Sequence, residues 1–120
     1  APLNPADTAQ AFIDYLQAGK RNQAHALLTR GQAQRTSFEE FQDVIESLEE
    51  KMGKIDGNEV ALMPFHKPAY DGDFIPLKVS AGQIKRYIYN LKFGNASVNC
   101  DVTVVPEDGQ HRIAWFSFWK

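Results

Sequence analysis

The chain has 120 residues, of which 43% are hydrophobic, and its formal net charge is -2. This length and apolar content suit one globular domain, residues 1–120, with one core. A charge this close to neutral provides no basic field of the kind that binds a phosphate backbone, so we expect no nucleic-acid partner. The single cysteine, Cys100, excludes a disulfide within the chain.

The first residues lead to an expectation about location. The chain starts Ala1-Pro2-Leu3 without a methionine, which is typical of a mature protein after signal-peptide removal and also of a shortened start. We therefore expect a periplasmic or secreted protein. Since no run reaches about 18 apolar residues, we expect no transmembrane segment in this chain.

Two helices are predicted first. Asp7 and Thr8 are candidate caps of a helix that ends at Gly19. Asn22 then begins a short second helix that stops at Gly31. The first helix has an apolar stripe with the spacing of one buried face, formed by Ala9, Phe12, Ile13 and Leu16.

The third helix has the clearest start signal. Ser37 and Glu40 form the pattern of a capping box. Gly53 follows as a left-handed C-terminal cap, and Ile55-Asp56-Gly57 is interpreted as a turn. The apolar face of this helix consists of Phe38, Phe41, Ile45, Leu48 and Met52. The helices thus extend over about residues 7–53.

From about residue 58 the pattern favours antiparallel strands. A first strand is predicted over Glu59–Phe65 and a short edge strand over Ile75–Val79, with the polar loop Tyr70–Asp73 between them. Turns at Gly94-Asn95 and Pro106–Gly109 separate three longer strands. These strands are Ile84–Phe93, Ala96–Val105 and His111–Trp119.

Alternation in the middle strand predicts one dry and one wet face. The dry positions are Ala96, Val98, Cys100, Val102 and Val104, and the wet ones are Ser97, Asn99, Asp101 and Thr103. In the last strand, alternation groups Ile113 with Trp115 and Trp119 and places Phe116 and Phe118 on the opposite face. Because the helices can cover only one face, we expect a partner, a loop or a ligand on the other.

The order of these elements carries a resemblance. A first helix with Phe12–Leu16, a short one around Ala26–Leu28 and a longer one from Phe38 precede the meander. The chain resembles the nuclear-transport-factor-2-like (cystatin-like) superfamily, especially its small exported bacterial domains of unassigned function. The resemblance implies an α+β cone of three helices on a curved antiparallel sheet. Its members use the pocket or the sheet for catalysis, ligand binding, dimerisation or assembly of secretion machinery.

Enzymes of that superfamily need a base inside the cone opposite hydroxyl donors. The candidate donors are Tyr15, Tyr87 and Tyr89, and the candidate bases are Asp101 and His111. Asp101 falls on the predicted wet face and His111 directly after a turn, which is unlike a buried base. We therefore assign no catalytic residue and favour a non-enzymatic role.

Metal and cofactor binding have little support in the sequence. The histidines His25, His66 and His111 have no ligand spacing such as i, i+4. The segment Asp71-Gly72-Asp73 lacks the further ligands of a calcium loop. Cys100 is interpreted as a small buried hydrophobe. We expect neither metal nor cofactor.

Two surfaces are candidates for binding. The first is the acidic side of the third helix, formed by Glu39, Asp43, Glu46 and Glu50. It is interpreted either as a surface for a basic partner or as an ordinary solvated face. The second is a set of aromatic strand residues, formed by Tyr87, Tyr89, Trp115, Phe116, Phe118 and Trp119.

The sequence favours a binding or assembly module of the bacterial cell envelope, which meets a protein partner or itself, including as a homodimer. One alternative is a small-ligand pocket protein or isomerase-like enzyme. Another is an immunity protein or an inhibitor of a secreted enzyme. The residues alone do not separate these three hypotheses.

Overall fold

The computed structural model describes residues 4–61 and 81–119. Their architecture is α+β, with N-terminal helices packed against a four-stranded antiparallel sheet, as the sequence predicts. The helices are α1 (Pro5–Gln17), α2 (Arg21–His25), α3 (Arg30–Arg35) and α4 (Phe38–Met52). The strands are β1 (Ile55–Val60), β2 (Lys85–Phe93), β3 (Ser97–Glu107) and β4 (Gln110–Trp119), with a 3₁₀ turn at Ala81–Gln83. The predicted strand at 75–79, the loop at 70–73 and His66 lie outside the described residues.

Helix α1 begins earlier than the sequence predicts. Asn4 is the N-cap, because its side-chain oxygen accepts a hydrogen bond from the Asp7 backbone N–H at 2.7 Å, and Pro5 occupies the first turn. The prediction that Asp7 or Thr8 caps this helix is therefore wrong, and Thr8 is buried. The end is as expected, since Gly19 follows the helix with a φ of 76°.

The segment predicted as one short second helix forms two helices, so residues 4–61 contain four α-helices rather than three. A parallel bridge between Leu28 and Ile113 interrupts it. The Ile113 N–H donates to the Leu27 carbonyl at 2.8 Å, and the Thr29 N–H donates to the Ile113 carbonyl at 2.9 Å. Gly31 lies inside α3 instead of ending a helix. This tertiary contact with β4 outweighs local helix preference.

Helix α4 has the predicted capping box. The Glu40 N–H donates to Ser37 Oγ at 3.2 Å, and the Ser37 N–H donates to the Glu40 carboxylate at 3.3 Å. Gly53 ends the helix with a φ of 88°, and a Cβ there would lie 3.2 Å from the Gly94 backbone. The predicted turn at residues 55–57 is wrong, since β1 already begins at Ile55 and passes through Gly57 with a bulge.

The sheet has the order β1-β2-β3-β4, and each neighbouring pair is antiparallel. The three long predicted strands and both turns between them are confirmed to within a few residues. Asp108 and Gly109 have φ values of 52° and 78°, which a two-residue hairpin turn requires. Pro106 and Glu107, predicted as part of that turn, belong to β3.

One extra residue in β4 changes which side chains share a face. Thr103 pairs with Trp115, whereas Val104 pairs with Ile113, so Ala114 has no opposite residue on β3. Simple alternation, which groups Ile113 with the tryptophans, is therefore wrong. Ile113 shares the face that meets the helices, called the helix face, with Phe116 and Phe118. Trp115 and Trp119 lie on the opposite face, called the outer face.

Aromatic rings occupy the centre of the layer between helices and sheet. The ring centroids of Phe12 and Phe41 lie 6.1 Å apart, and Phe116 lies 5.7 Å from Phe12 and 5.5 Å from Phe41. Leu16 and Ile45 are buried in the same cluster. Tilted and edge-on rings at these separations are favourable packing geometries. This cluster joins α1 and α4 to β4.

We expect Ser37→Ala to lower the free energy of unfolding by about 1 kcal/mol, because α4 loses a hydrogen bond to one of its first N–H groups. Urea denaturation followed by circular dichroism measures the change. Ser37→Asp, which retains a capping oxygen, should recover most of the loss. Equal losses in the two variants would contradict the role of the cap.

Candidate functional site

The aromatic residues singled out in the sequence do not form one surface. Tyr87, Tyr89, Phe116 and Phe118 lie on the helix face, where they belong to the core or pack against it. Trp115 and Trp119 lie on the outer face. Tyr89 is buried, whereas Trp119 is 40% exposed.

The structure brings two of these residues to a groove between α4 and β4. The groove has a volume of about 550 Å³ and is open to solvent. Four of the residues that line it are apolar and four are polar or charged. The α4 wall consists of Asp43, Val44, Ser47, Leu48 and Lys51, and the β4 wall of Phe116, Ser117 and Phe118.

The α4 wall follows from helical spacing. Val44, Ser47, Leu48 and Lys51 recur every three or four residues and therefore lie on one side of the helix, beside its buried stripe. Val44 is outside that stripe and is 44% exposed. Sequence reasoning named Asp43 and Leu48 for other surfaces and missed that they share this wall with Val44, although an apolar residue just beside a core stripe was the available signal.

The backbone of β4 also contributes to the groove. The Phe93 N–H donates to the Ala96 carbonyl across the β2–β3 turn, so the even-numbered residues of β3 hydrogen-bond to β2 and the odd-numbered ones to β4. The partners of the odd-numbered residues on β4 are Trp115, Ser117 and Trp119. Phe116 and Phe118 therefore direct their N–H and C=O groups away from β3.

Those backbone groups form a free strand edge within the described part of the chain. Nearer the start of β4 the same edge is occupied, because Ile113 bonds to Leu27 and Thr29. Beyond it, no backbone hydrogen bond from residues 4–61 or 81–119 reaches Phe116 or Phe118 on that side. Among the residues that the structure describes, an apolar groove and an unpaired strand edge thus occur together. In other proteins this combination can accept an added strand.

The predicted acidic face of α4 is divided by its contacts. Glu46 accepts a hydrogen bond from Arg21 at 3.0 Å, and Glu49 pairs with the same guanidinium. These bonds tie α2 to α4. Glu39, Asp43 and Glu50 are exposed, and of these only Asp43 lines the groove beside β4.

Part of the predicted wet face of β3 is dry. Ser97 is exposed, but Asp101 is 2% exposed and Thr103 is fully buried, so the prediction fails at these two positions. Arg86 Nε donates to both carboxylate oxygens of Asp101, at 3.0 and 2.9 Å, and Arg86 Nη2 lies 2.6 Å from Asp101 Oδ2. The cross-strand guanidinium makes burial of the carboxylate tolerable and occupies the oxygens that a catalytic base would need free.

Burial favours the protonated forms of Tyr87, Tyr89 and Cys100. Burial raises the pKa of Tyr89 to about 12 and also raises the pKa of Tyr87. Burial raises the pKa of the Cys100 thiol as well, which makes it a small apolar core residue, as expected. None of these three groups is prepared to act as a nucleophile or base near neutral pH.

Within residues 4–61 and 81–119, no three His, Cys, Asp or Glu side chains come together in a group that could hold a metal ion. In the same residues no helix is long and apolar enough to cross a membrane.

We expect Arg86→Met to lower the free energy of unfolding by about 3–5 kcal/mol, because Asp101 would remain buried without its partner. Lys92→Met is the matched control, since Lys92 lies on the same strand and the same outer face but is exposed. It should change the free energy of unfolding by no more than about 0.5 kcal/mol. Similar losses in the two variants, measured by chemical denaturation, would contradict a specific ion pair.

The raised pKa of Tyr89 predicts a loss of folding stability at alkaline pH. Its pKa is about 12 in the folded chain and 10.0 as an ordinary tyrosine. Above pH 10 the unfolded state loses the proton first, so the contribution of the neutral phenol to stability is complete below pH 10 and falls as pH rises toward 12. Denaturation measured across this range should show a shallower fall in Tyr89→Phe. An equal fall in stability in the wild type and in Tyr89→Phe would contradict the assignment.

No family model, curated protein or solved structure matches this chain. The functional argument therefore depends on the site itself. Its features are the apolar groove, the edge of β4 that is free within residues 4–61 and 81–119, and the exposed residues around them.

Proposed function

We propose that this protein is a non-enzymatic binding or assembly module and that the groove between α4 and β4 binds a polypeptide. The observation that carries the proposal is an edge of β4 that no residue of 4–61 or 81–119 pairs with, beside an apolar groove. The groove is lined by Val44, Leu48, Phe116 and Phe118. Main-chain groups at the edge supply hydrogen bonds, and the adjacent apolar walls supply burial of alternate side chains.

The packing between helices and sheet supports a surface site over an interior one. Phe12, Phe41 and Phe116 fill the centre of that layer with ring centroids 5.5–6.1 Å apart. Leu16 and Ile45 are buried around them. An isomerase-like enzyme needs space and a free base in this layer, whereas the candidate base Asp101 is bonded to Arg86 on the other side of the sheet.

Membership of the nuclear-transport-factor-2-like superfamily, including its cone, is part of the same proposal. The order of elements supports it, because helices come first and an antiparallel meander of long strands follows. The location that goes with this resemblance is the bacterial cell envelope. A binding or assembly role is one of the uses to which such a scaffold is put.

Photocrosslinking in cells of the source organism tests the groove. A benzoylphenylalanine at Val44, which is exposed at the groove wall, should give a covalent adduct with a polypeptide that mass spectrometry identifies, either a second copy or another protein. The same probe at Gln23, an exposed position on α2, is the matched control and should give none. Absence of an adduct from Val44, or equal adducts from both positions, would contradict the proposal.

A further inference from the structure

We infer that the occupant of the groove is a second copy of this chain, joined edge to edge through β4 by a twofold axis that passes beside Ser117 and Ser47. This inference deepens the proposed function and rests on it. Both serines line the same groove, so one axis can pass close to both. A twofold perpendicular to the sheet makes both the two β4 strands and the two α4 helices antiparallel.

The backbone of β4 is self-complementary around Ser117. Phe116 and Phe118 lie one residue to either side of it, and both direct their N–H and C=O groups to the free edge. In an antiparallel pair centred on Ser117, Phe116 of one copy would be opposite Phe118 of the second copy in a hydrogen-bonded pair. The four-stranded sheets of the two copies would thus become one continuous sheet. Backbone groups of β4 that no described residue pairs with would form hydrogen bonds with those of the second copy.

The same register accounts for the two tryptophans of the outer face. Trp115 and Trp119 lie two residues to either side of Ser117. Trp115 of one copy would therefore be opposite Trp119 of the second copy. These are non-hydrogen-bonded positions, where opposite side chains are closest and aromatic pairs are most favourable. Trp119, which is 40% exposed, would gain a neighbouring ring.

Charge complementarity on α4 fits the same axis. Asp43 and Lys51 lie four residues to either side of Ser47, about 6 Å along the helix in each direction. Both line the groove. In antiparallel helices related by a twofold at Ser47, each Asp43 would be opposite Lys51 of the second copy. Val44, which is 44% exposed, would lie in the same helix contact, and the small Ser47 side chain would allow a close approach.

Charge exchange tests this arrangement by sedimentation analysis over a concentration series up to about 1 mM. Asp43→Lys places two lysines opposite each other at both ends of the contact, and Lys51→Asp places two acids there. We expect each variant to dimerise about ten-fold more weakly than the wild type. Asp43→Lys should still fold, because it replaces the like-charge Glu39–Asp43 spacing with an attractive one.

Mixing the two single variants should restore association, since each contact then joins a lysine to an acid. Asp56→Lys is the matched control, because Asp56 is exposed on β1 at the other edge of the sheet and should dimerise as the wild type does. A wild-type chain that stays monomeric throughout the series would overturn the inference. So would a mixture that associates no better than the single variants.

Hydrogen exchange followed by NMR tests the strand pairing separately. The amides of Phe116 and Phe118 should become protected as concentration rises. Those of Ser117 and Trp119, which bond to β3 in a single copy, should be protected at every concentration. The emission of the two tryptophans should shift to shorter wavelength over the same range, because Trp119 becomes covered. Dimers in which Phe116 and Phe118 still exchange quickly would overturn edge pairing.

These outcomes separate the inference from the proposed function. Crosslinking from Val44 to a different protein, with a monomeric purified chain, would overturn the second copy as occupant and leave the groove as a binding site. Absence of any adduct from Val44 would contradict the proposed function and the inference together.

Discussion

The extra residue at Ala114 is the constraint on which the site depends. The two-residue turn at Asp108–Gly109 determines how β4 starts against β3, and uninterrupted alternation from there would turn Trp115 toward the helices. The bulge reverses the alternation after Ile113. Phe116 therefore enters the aromatic cluster with Phe12 and Phe41, and both tryptophans move to the outer face.

The bulge also determines the hydrogen bonds at the edge of the sheet. Before the bulge, the backbone N–H and C=O of Ile113 point away from β3 and bond to the segment between α2 and α3. After the bulge, the backbone groups of Phe116 and Phe118 point away from β3 toward the groove, and their rings lie on the helix face. The hairpin register before the bulge thus sets the contact that separates α2 from α3, and the inserted residue sets which β4 backbone groups after it point away from β3.

Local signals in the sequence were sufficient for much of the fold. The Ser37 and Glu40 pattern, the glycine after α4 and the two hairpin turns depend on neighbouring residues, and each is present in the structure. The apolar positions of the middle strand were likewise predicted, because alternation is a property of the strand itself.

The predictions that were wrong concern contacts between residues distant in sequence. The second helix is divided by a bridge to Ile113, which lies 85 positions after Leu28. No local pattern in the segment predicts a contact at that separation. Asp101 is buried because Arg86 on the neighbouring strand pairs with it. The groove needed both the α4 spacing and the β4 register, so the sequence yielded Asp43, Phe116 and Phe118 without showing that they meet.

The two edges of the described sheet differ in a way that bears on function. Edge strands are usually protected against pairing by charges, bulges or coverage. On β1 a bulge lies between Ile55 and Gly57, and Asp56 and Glu59 are exposed acids. On β4 the bulge precedes the free segment, and Phe116, Ser117 and Phe118 carry no charge. Among the described residues, the edge at β1 has these protective features and the Phe116–Phe118 segment of β4 has none of them. The pairing proposed above would use this difference between the two edges.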